Sequence, residues 1–564
     1  MATRLSDLAR YFPARLRLEG TAKQAIETAQ HRLVVAGMLF SLAFLIVGLR
    51  LVDVTILKEG HEPPAPRVVQ EFQTERADII DRNGVVLATS LATSSLYANP
   101  KLVLDPAEVA RKLARTLPGI DEQETKARLT SDRSFVWLRR NLTPRQQYEV
   151  NRLGIPGLFF QREERRVYPH GKLAAHVVGF TDIDNRGLAG MEQSFDEELR
   201  QSDEPLQLSV DIRVQHILRE ELNAVIDEFR AIGGAAMVLD VTNGELLGMV
   251  SLPDFDANNP GAADPQTRFN RNTLGVYEPG STFKIFNTAM ALDYGATTLE
   301  SGYDTTKPIK VARFTITDYK PIKRWQSIPE IFMHSSNIGS VYMAMEVGRD
   351  RQREFLGRFG FLKAPSIELP EIGSPLVPAN WRDINLMTIS FGHGISITPL
   401  QLVAGTAAVV NGGMLRPVTL LKRAESEKIP GQRVIASRTS DQMRGLMRLV
   451  VDKGTAKSAN VPGYLVGGKT GTAEKIVNGR YQRNMRISSF VGAFPMNAPR
   501  FVVYAMLDEP KGNKSTFGFA TAGWVAAPTA GRIIARLAAL YGIPPVDEEA
   551  LAARDPWVHD VAAR

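Results

Sequence analysis

Ser281-Thr-Phe-Lys284, Ser335-Ser-Asn337 and Lys469-Thr-Gly471 put a hydroxyl nucleophile, two amines, a second hydroxyl and a carboxamide into one chain. A serine needs a base before it can attack a carbonyl. A lysine serves only if burial or a neighbouring cation holds its amine well below the usual pKa of about 10.4. Lys469 is available as that cation. Ser335 and Asn337 offer a hydroxyl that can relay a proton and an amide that can hold a substrate amide. Thr470, Gly471 and Thr472 continue the third motif, where the hydroxyls and Lys469 could grip a carboxylate. The set can run acyl transfer through Ser281 without histidine, metal or cofactor. Taken singly, each motif has a plainer reading: a surface helix turn, a helix cap and a loop. A phosphate-binding loop is set aside for the glycine-rich run because the Gly-x4-Gly-Lys-[ST] spacing reads as absent.

The elements around the motifs must bring them together. Pro279-Gly280 interrupts the chain, and Phe283, Phe286 and Met290 then recur at helical spacing. Ser281 is therefore expected at a helix N-terminus, with Lys284 one turn along on the same face. A helical pattern, IPEIFMHSS, leads into Ser335. Tyr464 to Ala473 reads as a strand whose glycines allow close approach, and an extended substrate could add to its edge. From Leu206 the chain passes from strand alternation into a helix carrying Val214, Ile217, Leu218, Leu222 and Val225 on one stripe. Ala235–Asp240 and Glu245–Ser251 flank Asn243-Gly244 as a hairpin. Ile487–Phe494 and Phe501–Leu507 form a second strand pair, and Trp524 to Leu540 is helical. Strands at both ends of a helical middle predict an α+β domain with an antiparallel sheet flanked by helices.

The 564 residues, 44% of them hydrophobic, imply two or three folded units. With no cysteine the chain has no disulfide, thiolate nucleophile or Cys-ligated zinc. Its 68 basic and 61 acidic side chains form no long basic run, which argues against nucleic-acid binding. Leu33 to Leu49 is uncharged and as a helix rises roughly 26 Å, slightly short of the ~30 Å hydrocarbon core. Snorkelling by Arg50 lets Leu51 and Val52 extend it. The following DVTILKEG lacks a small-x-small cleavage site, so the span reads as a retained anchor. Arg4, Arg10, Arg15, Arg17, Lys23 and Arg32 precede it and predict a cytoplasmic N-terminus.

The multidomain α+β organisation expected is a cytoplasmic tail (1–32), a transmembrane anchor (33–52), a proline-rich linker (53–67), a mixed non-catalytic module (68–205), a catalytic module (206–543) and a peripheral tail (544–564). The non-catalytic module includes an Asp81-Arg-Asn-Gly84 turn and a helix over Pro106 to Thr116.

In this order the three motifs are the signature of penicillin-binding proteins and serine β-lactamases. Arg76-Ala-Asp-Ile-Ile-Asp-Arg-Asn-Gly84, Arg166-Val-Tyr-Pro169 with Ala175-His176 and Gly179, and Gly187-Leu-Ala-Gly-Met-Glu192 resemble the pedestal motifs of class B penicillin-binding proteins. The likeness covers roughly residues 70 to 540. Tyr277-Glu-Pro-Gly-Ser-Thr-Phe-Lys284, Asn337, Ser489-Phe-Val-Gly-Ala-Phe-Pro495 and Asp508-Glu-Pro510 are similar to the septal rather than the elongation branch. The resemblance implies a single-pass inner-membrane D,D-transpeptidase with a periplasmic catalytic domain, a dimerisation-type pedestal and no cofactor. Ser281 would attack the penultimate D-Ala of a D-Ala-D-Ala stem peptide and Lys284 would take its proton. Ser335 and Lys469 would pass a proton to the departing D-Ala, Asn337 would hold the donor amide, and the N–H groups of Ser281 and Thr472 would form the oxyanion hole. An amine from a neighbouring stem would resolve the ester, and β-lactams would acylate the same serine. A lipid-II polymerase and other division membrane proteins are the implied partners.

Other readings are an elongation-specific transpeptidase, a carboxypeptidase or β-lactamase-like hydrolase, and a non-enzymatic scaffold. His170 and His176 lack a third ligand for zinc. His334 and His393 read as packing or hydrogen-bonding residues, and Glu371 and Asp383 as surface charges.

Overall fold

The computed structural model describes residues 21–52, 76–311, 314–477 and 480–547. The proposed linker lies outside them, as do the first part of the N-terminal tail and most of the C-terminal one. Two units result, residues 1–73 and 74–564. The first contains helix α1, Thr21–Val52. Its segment Arg32–Val52 has a mean hydropathy of 2.3 and none of it is buried, and its length and composition fit a single-pass membrane anchor.

The second unit is built on a five-stranded antiparallel sheet and the helices that cover it. Helix α2 (Ile212–Phe229) carries the predicted stripe Val214, Ile217, Leu218, Leu222 and Val225, all buried. Strands β1 (Gly233–Asp240) and β2 (Leu246–Leu252) form the hairpin expected around Asn243-Gly244. Strands β3 (Gly467–Val477), β4 (Arg480–Phe494) and β5 (Phe501–Asp508) complete the sheet in the order β3-β4-β5-β1-β2. Every residue of β1, β2 and β5 is buried, so these strands are covered on both faces. Helix α2 and the C-terminal helix Ala526–Leu540 pack together on the sheet, and helix Pro399–Val410 packs on it with helix Ser437–Asp452. Strand β3 stands at the sheet edge, with no partner on its outer side among the described residues.

Between β2 and β3 run the helices that carry the first two motifs: α3 (Lys284–Asp293), α4 (Ile328–His334) and α5 (Asn337–Val347). A 3-10 turn over Gly280–Phe283 precedes α3, so Ser281 lies in that tighter turn rather than in the helix proper.

The preceding module shares its core with the catalytic sheet. Ile79, Leu87, Tyr168, Met191 and Leu199 belong to the same buried cluster as Leu222, Val238 and Met506. A second, smaller core gathers Leu96, Val109, Leu113, Val136 and Val150 around the long strand Val86–Ala98 and helix Pro106–Thr116. The Asp81 turn forms as expected: Oδ1 accepts the N–H groups of Asn83 and Val85, at 2.7 and 2.9 Å. Its Oδ2 accepts from Ile212 N at 3.1 Å, at the start of α2. The three upstream motifs converge on Glu192. Arg76 Nε and Arg166 Nε each donate to its carboxylate at 2.7 Å, and all three residues are buried.

Candidate active site

Four of the predicted residues meet through hydrogen bonds. Lys284 Nζ donates to Ser335 O at 2.6 Å, Ser335 Oγ at 3.1 Å and Asn337 Oδ1 at 2.7 Å. Lys469 Nζ donates to the same Ser335 Oγ at 2.9 Å and lies 5.9 Å from the Phe332 ring centre. Both lysines are fully buried. Burial first, and the charge of Lys469 second, hold the Lys284 amine well below its ordinary pKa. Burial pulls Lys469 down to about 7. These are the conditions under which a lysine can act as a base.

Local structure explains why the motifs are so short. Ser335 ends α4 in the left-handed region, with φ of 61°. That reversal lets the next residue, Ser336, cap α5 by accepting from Gly339 N at 3.0 Å. Gly471 is required by close approach: a Cβ there would meet Pro279 O and Thr282 Cγ2, both at 2.8 Å. Strand β3 can therefore press against the Ser281 turn. Gly280, with φ of 55°, would bring a Cβ to 3.1 Å from Thr472 O on the same strand. Ser281 is thus placed at the junction of β3 and α3. All three donors of Lys284 point to Ser335 and Asn337, and none reaches Ser281. The hydroxyls of Thr470 and Thr472 meet Thr455 Oγ1 at 2.8 Å and Ala522 N at 3.1 Å.

Spacing alone does not dismiss a phosphate loop, because Gly463 and Gly468-Lys469-Thr470 satisfy it. Geometry does. The lysine sits in a strand paired along β4, with no helix opening after it.

Asp318 is a site residue that the motifs do not reveal. Its Oδ1 accepts from Asn337 N at 2.6 Å and Ile338 N at 3.0 Å, and its Oδ2 accepts from Ser336 Oγ at 2.8 Å. A buried carboxylate at the start of α5 satisfies free N–H groups and suits the positive end of the helix. Asn337 is also tied by Nδ2 to Thr317 O at 2.9 Å.

Glu371 departs from the surface role expected of it. It is half-buried, its Oε1 accepts from Gly190 N at 3.1 Å, and burial raises its pKa. Asp383 is exposed and pairs with Arg349 at 3.4 Å. His176 Nε2 is 2.9 Å from Thr267 O, which ties its ring between the two modules.

Residues 71–224 match the penicillin-binding protein dimerisation domain, and residues 234–534 the penicillin binding protein transpeptidase domain. The chain is 41% identical over 501 residues to a probable peptidoglycan D,D-transpeptidase FtsI of Caulobacter vibrioides, covering 86% of this chain and 85% of the relative. It is 30% identical over 549 residues to peptidoglycan D,D-transpeptidase FtsI of Escherichia coli K12, covering 90% and 91%. A peptidoglycan synthetase structure from Bifidobacterium adolescentis shares the fold, with a TM-score of 0.66 at 23% identity over 84% of this chain and 97% of that one. The transpeptidase domain of penicillin-binding protein 3 from Burkholderia pseudomallei superposes with a TM-score of 0.54 at 33% identity, over 60% of this chain and 97% of that one. With the pedestal motifs gathered on Glu192 and the three catalytic motifs gathered beside Ser281, the chain belongs to the class B penicillin-binding proteins, the FtsI-type peptidoglycan D,D-transpeptidases.

Proposed function

We infer that this enzyme cross-links stem peptides at the division septum through an acyl-Ser281 intermediate. The observation that carries the reading is the convergence of two buried lysines on Ser335 beside the Ser281 turn. Lys284 takes the Ser281 proton as the hydroxyl attacks the penultimate D-Ala carbonyl; for this it must release one of its present acceptors. Ser335, bridging both amines, passes the proton to the departing D-Ala with Lys469. Asn337 holds the donor amide. Thr470, Gly471 and Thr472 receive the donor as an extra strand on the free edge of β3. The N–H groups of Ser281 and Thr472 stabilise the oxyanion, each worth roughly 3 to 4 kcal/mol in such sites. An acceptor amine then resolves the ester.

The basic residues before the anchor support a cytoplasmic N-terminus and a periplasmic catalytic unit. The anchor and pedestal engage a lipid-II polymerase and other membrane proteins of the division machinery. The non-catalytic pedestal occupies 68–205 and the transpeptidase domain 206–543.

Fluorescent penicillin tests the chemistry. Wild type forms a stable adduct that Ser281→Ala lacks, and turnover of the label within minutes would instead identify a hydrolase. Depletion tests the place of action: filaments are expected, whereas round cells would assign the enzyme to elongation. Replacing the anchor by an unrelated helix should weaken co-purification with the polymerase, and unaltered recovery would remove the anchor from that contact.

A further inference from the structure

A second buried acid sits at the nucleophile turn, and the acylation chemistry does not use it. Glu278 lies three residues before Ser281 and its side chain is 7% exposed. Its Oε1 accepts from Gly394 N at 2.7 Å and from the Tyr481 hydroxyl at 3.0 Å. Its Oε2 is buried, has no hydrogen-bond partner among the described residues and lies 3.8 Å from Nδ1 of His393. An unpaired buried carboxylate oxygen costs free energy unless something calls on it.

His393 is held from several sides. Its backbone N–H donates to Thr388 O at 3.0 Å, and its ring stacks on Tyr481 at 5.7 Å and lies 5.3 Å from Phe391. The preceding residue, Gly392, accepts from Gly280 N at 3.1 Å, so this loop is bonded to the residue just before Ser281. The imidazole is 30% exposed. The charged and titratable groups facing it are Glu278 from the nucleophile turn, Tyr481 from the β3–β4 hairpin and Lys284 from α3.

Transpeptidation needs proton acceptors twice. The first serves the Ser281 hydroxyl. The second serves the attacking amine, which is mostly a protonated ammonium at neutral pH. We propose that His393, oriented by Glu278, is the base that deprotonates the acceptor amine; this rests on Ser281 forming the acyl-enzyme as read above. An Nδ1–H turned towards Glu278 Oε2 leaves Nε2 with its lone pair. The acceptor ammonium gives one proton to Nε2. The neutral amine forms a C–N bond to the acyl carbonyl carbon, and the C–O bond to Ser281 breaks. The second amine proton passes through Lys284 to the Ser281 oxygen, which restores the hydroxyl, and His393 returns its proton to solvent. In the free enzyme burial and then the Lys284 charge draw the imidazole pKa down to about 4, so the ring is neutral when the acceptor arrives. It takes the ammonium proton only once Lys284 is neutral and as Nδ1–H closes on Glu278, which together raise its basicity. Burial raises the pKa of Glu278, the bonds from Gly394 N and the Tyr481 hydroxyl offset part of that rise, and its carboxylate pairs with the imidazolium once the gap closes. The 3.8 Å gap is too long for a hydrogen bond, and it closes as the ring takes up charge.

The full-length protein is given a thioester donor and a D-amino acid acceptor, and the rate of amide formation is divided by the rate of penicillin acylation. His393→Ala is expected to lower this ratio about 100-fold at neutral pH. The loss should shrink as pH approaches the pKa of the acceptor amine, and added imidazole should restore part of the ratio. Glu278→Gln should lower it less. An unchanged ratio overturns the proposal, as does a loss that neither imidazole nor pH moves. If His393→Ala does not react with penicillin, His393→Gln carries the same measurement. Failure of the wild type to react with penicillin would instead strike the acyl-Ser281 reading itself.

Discussion

The pedestal and the active site both bury strong charges, and they dispose of them in opposite ways. Around Glu192, two guanidinium groups and a carboxylate bring opposite charges within 2.7 Å. Arg166 spends its remaining donors on the carbonyls of Arg76 and Ala77, at 3.0 and 2.8 Å, and on the Ser90 hydroxyl at 3.2 Å. Around Ser335, two amines share one neutral hydroxyl and meet no carboxylate directly. Compensation fixes charge and makes a joint. Taking two amines out of water with no counter-charge bonded to them weakens the hold of each on its proton, and the charge of Lys469 adds to the effect on Lys284. Burial alone therefore does not distinguish structure from chemistry; the sign of the neighbour does.

The sharpest break in this contrast is Lys284→Met. Acylation by penicillin should fall roughly 10⁴-fold, the upper range for loss of a general base, while the urea unfolding midpoint holds or rises. A large drop in that midpoint would mean that Lys284 is a structural cation after all. Glu192→Ala inverts the pattern: leaving two buried arginines unpaired should cost about 3 to 5 kcal/mol of stability, read by urea denaturation. Stability within about 1 kcal/mol of wild type would refute the joint.

A third test uses pH. Folded Lys469 releases its proton near 7, whereas its ordinary value is 10.5. Between these values the unfolded chain binds more protons, so stability rises with pH across that window, by up to about 1.4 kcal/mol per pH unit from this group. Lys469→Met should flatten the rise, and an unaltered slope would place the shift elsewhere. The smallest effect is expected from Asp318→Ala, which removes the carboxylate at the start of α5. A loss of roughly 1 to 2 kcal/mol is typical of such caps. It should be accompanied by slower acylation, because Asn337 is the first residue of that helix. Loss of stability with an unchanged acylation rate would show that the cap does not position Asn337.

Much of this architecture could be read from the residues alone, because its signals are local. Asn243-Gly244 marked the β1–β2 hairpin, Asp81 to Gly84 marked a turn, and the stripe from Val214 to Val225 marked α2. The catalytic motifs were legible because Ser281 and Lys284 are neighbours in sequence and Lys469 sits in a glycine-rich strand. What escaped depends on distance along the chain. Asp318 reaches Asn337 N across 19 residues, whereas a capping side chain is normally sought just before its helix. Glu371 reads as a surface charge until a backbone N–H from Gly190, 181 residues earlier, is set against it. Glu278 and His393 are separated by a long helical stretch, and only the loop bonded at Gly280 brings them together. The phosphate-loop spacing, which reads as absent at first sight, is met by Gly463 and Gly468-Lys469-Thr470. The pattern was present, but the strand pairing gives it another use.

Ser335 carries a further lesson. A serine in the left-handed region sits about 1 to 2 kcal/mol above a glycine that adopts it freely. Ser335→Gly relieves that strain but takes the shared hydroxyl from two buried amines, a loss of about 1 to 3 kcal/mol that offsets the gain. The left-handed backbone at this one position is what sets a single hydroxyl within reach of both amines.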